Sequence, residues 1–65
     1  MNINEENAGL ILNAIGLAVV ELIASGAQIS RDNLVEMLER TRHETGNVIG
    51  KGANRDAAEL VRKGQ

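Results

Sequence analysis

The sequence predicts an all-α fold: a three-helix protomer with a long apolar first helix, an amphipathic second and a short third, packed as a helical homodimer. Two observations predict the class. The chain has no Pro and no strand-like alternation of apolar and polar residues. Glycine-containing breaks at Ser25-Gly26 and between Gly46 and Gly52 divide it into three segments of helical periodicity. A third observation predicts the dimer. Sixty-five residues form a single domain, 1–65, and a chain this short buries only about 60% of the surface its unfolded form exposes. Disulfides, metals or oligomerisation usually make up the shortfall. With no Cys and one His, disulfide and zinc staples are excluded. With no Phe, Trp or Tyr, the core must come from Ala, Val, Ile, Leu and Met. Self-association is the remaining route.

The first helix is expected over residues 4–25. Asn4 is placed to cap it, with Glu5 and Glu6 at the positive end of its dipole. Ser25-Gly26 ends it, Gly26 supplying a left-handed C-cap. Ile11, Ile15, Ala18 and Leu22 mark one stripe, and Leu12, Val19 and Ile23 continue around from it. A helix apolar over most of its circumference needs cover on most sides. Ile11, Ile15, Ala18, Val19, Leu22 and Ile23 are therefore the expected dimer interface. Gly9, Asn13, Gly16 and Val20 follow a three-four spacing along another face. Its glycines either admit a second backbone closely or are tolerated at about 1 kcal/mol each against Ala. Asn13 is either a register-setting polar residue or a water-facing one. The apolar run from Ala8 to Ala24 contains Asn13 and Glu21 and falls short of the roughly 20 residues a membrane span wants. A buried helix is expected, with no membrane insertion. The first charges are acidic, unlike the basic start of a secretion signal, so a cytoplasmic location is expected.

The second helix is expected over 31–45. Ser30 is its N-cap, and Ile29 and Leu34 form a hydrophobic staple. Leu34, Val35, Leu38 and Thr41 make its narrow inner face. Glu36–Arg40, Glu39–His43 and Arg40–Glu44 stand opposite at i,i+4 spacing. Val48 and Ile49 leave open an extension past Gly46. Residues 46–53, with three glycines, are expected to be a loop. Asn54 would then cap a third helix over 55–63, with Ala57, Leu60 and Val61 inward.

No chemistry-bearing constellation survives inspection. Gly46-Asn47-Val48-Ile49-Gly50-Lys51-Gly52 has three residues between its first glycines where a phosphate loop needs four. It also has Gly52 where that loop needs Ser or Thr. His43 lies in a charged run on the water-facing side of its helix. Ser25 and Ser30 are explained by helix ends, and the acids of the second helix are interleaved with Arg. No catalytic, cofactor or metal residues are expected, and no small-molecule substrate. The chain reads as non-enzymatic, working through protein–protein interaction.

Net charge is −2 and unevenly spread. Residues 1–30 hold three acids and no base, and residues 31–65 hold seven bases and six acids. Arg40, Arg42, Lys51, Arg55, Arg62 and Lys63 are the candidate nucleic-acid contacts, doubled in a dimer. Binding through them would be weak and steeply salt-dependent. The net negative charge and the absence of stacking aromatics oppose that reading. The competing reading is a solvated basic tail.

The run Ala14-Ile15-Gly16-Leu17-Ala18-Val19-Val20-Glu21-Leu22-Ile23-Ala24-Ser25-Gly26, then Ile29, then Asn33-Leu34-Val35-Glu36-Met37-Leu38-Glu39, resembles the YmgB/AriR family. These are small bacterial regulators of biofilm formation and acid resistance. The shared pattern is an apolar helix ending in Leu-x-x-Ser-Gly, a short turn with one aliphatic residue, and a second amphipathic helix. It covers residues 8–45. The resemblance implies a helical homodimer acting in regulation. It would serve either as a connector that contacts two-component signalling proteins or as a weakly sequence-specific DNA-binding protein. The tail departs from the family's pattern, being shorter and glycine-rich where the family carries a longer third helix. A phage- or toxin-type inhibitor shares the same composition and stays open as an alternative.

With the first helix as the assembly element, Ile15→Asp or Val19→Asp is expected to abolish folding and association together. Circular dichroism with light scattering reads both, and a variant that stays folded would remove these residues from the interface.

Overall fold

Side-chain and backbone caps set the ends of the helices. The computed structural model describes residues 5–64 as α1 (Glu5–Ser25), α2 (Arg31–Glu44) and α3 (Val48–Lys63). The chain is all-α with three helices, and no strand is present among the described residues. Asn4, the expected first cap, lies outside those residues.

α1 ends as its sequence requires. Gly26 adopts a φ of 75°, its N–H donates to the Ile23 carbonyl at 3.1 Å, and the Ala27 N–H donates to the Leu22 carbonyl at 3.0 Å. These are the two bonds of a Schellman motif. The Ser25 hydroxyl also donates to the Leu22 carbonyl, at 3.0 Å. α2 begins where Ser30 Oγ accepts from the Asn33 N–H at 3.1 Å. The Asn33 side-chain amide in turn donates to the Gln28 carbonyl at 2.7 Å, tying down the turn before it. α2 stops at Glu44 because Thr45 turns extended, with φ −76° and ψ 137°.

The expected loop over 46–53 is a correction. Only Gly46 and Asn47 of that stretch lie outside a helix, and α3 starts at Val48, seven residues before the expected Arg55. The cap is Asn47 and not Asn54. Asn47 Oδ1 accepts from the N–H of Ile49 at 2.8 Å and of Gly50 at 3.3 Å. Two helical glycines cost about 1 kcal/mol each, and a good N-cap restores about 1 kcal/mol. Of the added residues only Asn54 is buried. Asn54 is an interior residue whose side-chain amide donates to the Gly50 carbonyl at 2.8 Å. Gly50 also sits against the incoming turn: a Cβ there would come within 3.1 Å of Thr45 Oγ1.

The core is thin. Ile11, Ala14 and Ala18 of α1 meet Leu38 of α2 and Ala57 and Ala58 of α3, with Ile15, Leu34, Met37 and Val61 packed around them. Leu22 is also buried. The four alanines let the helices approach closely but add little apolar area each, and Leu38 is the one large side chain that is fully enclosed. The resulting body is flat, 32 × 29 × 15 Å.

Gly26→Ala has open space for the added methyl group, so its cost comes from the left-handed backbone alone. A loss of about 1 kcal/mol is expected, read as a lower urea midpoint. An unchanged midpoint would mean that the cap is not contributing to the fold.

Candidate functional site

α1 has two faces, and the chain covers one of them. Ile11, Ala14, Ala18 and Leu22 point into the protomer's own core, with Ile15 and Val19 half-buried beside them. Of the six residues expected at a dimer interface, Ile11, Ala18 and Leu22 are therefore enclosed by α2 and α3 of the same chain, and Ile23 alone is exposed. The stripe expected to face a twin is the one the three-helix protomer uses for itself.

The opposite face is apolar and uncovered. Leu12 is 70% exposed, Ile23 62%, Val20 59%, Leu17 54% and Leu10 43%. Between them lie Gly9, Asn13, Gly16 and Ala24, all exposed. A Cβ built on Gly9 or Gly16 would meet nothing within 4 Å. Among the described residues of this face Glu21, at its edge, carries the one charge. Ile29, in the turn after α1, is also exposed, as are Val48, Ile49 and Leu60 on α3. Leu10 and Ile49 share an open groove with Ile11, Gly52, Ala53, Arg55 and Asp56, which continues the apolar surface from α1 onto α3.

Sequence reasoning missed Leu10, Leu12 and Leu17 as surface candidates, whereas the Gly9, Asn13, Gly16 and Val20 stripe, expected either to admit a second backbone or to be merely tolerated, is exposed. The apolar character of the three leucines was visible, but an apolar run on every side of a helix gives no signal for which side the chain covers. Ala8–Ser25 is long and apolar enough to cross a membrane, with a mean hydropathy of 2.0. A helix with one face in a protein core passes the same test, and 22% of this segment is buried.

The six candidate nucleic-acid contacts are not brought together. Arg40 lines the α1–α2 groove with Leu17, Glu21 and Met37, and pairs with Glu36 at 3.6 Å. Arg42 and Arg62 both reach Glu39, at 3.2 and 3.3 Å, on the α2–α3 side. Arg55 borders the α1–α3 groove and pairs with Asp56 at 3.2 Å. Lys63 pairs with Glu59 at 3.2 Å. Lys51 is exposed on the first turns of α3. Five of the six thus stand beside a carboxylate, and Arg42 and Arg62 share one. The expected Glu39–His43 pair is replaced by the two arginines on Glu39, one of which fastens α3 to α2. Exposed pairs of this kind contribute about 0.2–1 kcal/mol each.

No metal-holding group of His, Cys, Asp or Glu is present among the described residues. His43 is exposed, and both serines cap helix ends as expected. The chain matches no protein-family model, and comparison with curated proteins and with solved structures finds no significant match.

Because its bases are mostly paired, the chain is expected to give no saturable binding when titrated with duplex DNA at 50 or 200 mM salt. Saturable binding that weakens steeply between the two would restore the basic-edge reading.

Proposed function

We propose that this protein is a small non-enzymatic regulator that works as a homodimer through protein–protein interaction. One observation carries the reading. Among the described residues nine large apolar side chains are exposed, whereas Ile11, Leu22 and Leu38 are the large ones that are buried. A soluble monomer scatters single apolar residues over its surface, but a contiguous patch marks an interaction site. Five of the nine lie on α1, which makes that helix the assembly element. The outer surfaces of α2 and α3, rich in ion-paired charge, are then free to meet a regulatory or signalling protein.

The resemblance of residues 8–45 to the YmgB/AriR family supports a connector role of this kind, in contact with two-component signalling proteins. Biofilm formation and acid resistance are the processes it suggests, in the cytoplasm. The pairing of the bases favours a protein partner over DNA.

Light scattering on point variants tests the assembly face. Leu12→Asp places a charge on it without touching the core, and is expected to raise the dimer Kd at least about tenfold. Val48→Asp, at an 83% exposed position on α3, is expected to leave the dimer intact. A Leu12→Asp chain as dimeric as the parent would remove α1 from the interface. A parent chain that is monomeric throughout would remove the dimer.

A further inference from the structure

We infer that the second copy docks on α1 antiparallel, with the two-fold axis passing beside Gly16. This deepens the dimer reading and rests on it. The uncovered face is centred on Gly9, Leu12, Gly16, Val20 and Ile23, which recur every three or four residues. About a two-fold at Gly16, position 12 of one helix falls opposite position 20 of the other, and position 9 falls opposite position 23. Leu12 then meets Val20 of the second copy, Ile23 enters the notch at Gly9, and the two Gly16 backbones meet on the axis. Large side chains face gaps and medium ones face each other. A parallel pair would instead set Gly9 on Gly9 and Ile23 on Ile23, pinching one end and wedging the other apart.

Three further features favour a second copy of this chain as the occupant. The face carries no charge between Ala8 and Val20, so bringing two identical faces together sets no like charges against each other. Its three large seam residues, Leu12, Val20 and Ile23, are each more than half exposed, and a second copy would cover all three on both chains as the apolar centre of an interface. Gly9 and Gly16 have no close neighbour in the protomer, although each weakens a helix relative to Ala. Close approach of another backbone is what their lack of Cβ permits. A lipid surface is the rival occupant. A helix that lies on membranes flanks its apolar face with Lys and Arg, and α1 has none.

The chain has no cysteine, so single introduced thiols report register directly. Leu12→Cys and Val20→Cys proteins, each full length, are oxidised mildly alone and as a mixture. The mixture is expected to form disulfide-linked dimer several-fold faster than either alone. Equivalent Leu12 positions would be about 12 Å apart along the axis, beyond the roughly 7 Å a disulfide can span. Crosslinking of each variant alone as fast as the mixture would overturn the antiparallel register while leaving the dimer. A dimeric mass with no crosslink in any sample would move the interface off this face. A monomeric mass would overturn both readings, and monomers that sediment with phosphatidylcholine vesicles would assign the face to lipid. As a second variant, Gly16→Leu should weaken association at least tenfold, with room in the protomer for the new side chain. Unchanged association would contradict the close contact.

Discussion

The organisation of this protein follows from α1 being apolar over most of its circumference while the chain has only two other helices to lay against it. α2 and α3 can cover one face, and they cover the one bearing Ile11, Ala14, Ala18 and Leu22. Leu12, Val20 and Ile23 are left pointing outward with no charged residue among them. Burying a large aliphatic side chain contributes about 1.5–3 kcal/mol. With three such residues enclosed, a small protomer keeps a modest reserve of its own, and covering the second face adds to the same total. In the proposed dimer, fold and assembly would draw on one helix.

The rest of the structure holds α1's inner face closed. Alanines at the crossings of α1 with α2 and α3 let the helices approach. Leu38 fills the centre, and Glu39 fastens α3 through Arg62 while it pairs with Arg42 on its own helix. The charges are consumed locally. Arg40, Arg55 and Lys63 each stand beside an acid on their own helix, which leaves a mosaic of neutralised pairs where a nucleic-acid interface would need a continuous positive strip.

What was legible in the sequence was what local chemistry decides. Ser25-Gly26 and Ser30 end and begin helices for reasons contained within a few residues, and the structure has both caps. The third helix was legible only in part. Gly46, Gly50 and Gly52 carry a strong breaking signal, and Asn54 looks like a cap when read alone. Asn47 caps just as well, accepting from the Ile49 and Gly50 N–H groups, and Asn54 instead lies buried within the helix with its amide on the Gly50 carbonyl. The candidate surface was harder still. Periodicity shows that α1 is apolar over most of its circumference, but the side that faces the chain's own helices is settled by where α2 and α3 land. Ile11 and Leu22, which the protomer encloses, therefore look as available to a partner as Leu12 does, and only the Gly9, Gly16 and Val20 stripe marks the outer face in the sequence.

If the uncovered face of α1 is a self-association surface on which the fold depends, folding and dimerisation form one equilibrium. Molar mass by light scattering across a dilution series, with helicity followed on the same samples, reads that equilibrium. A dimer at high concentration, whose helicity falls as it dissociates, is the expected result. A monomer of undiminished helicity at every concentration would contradict it.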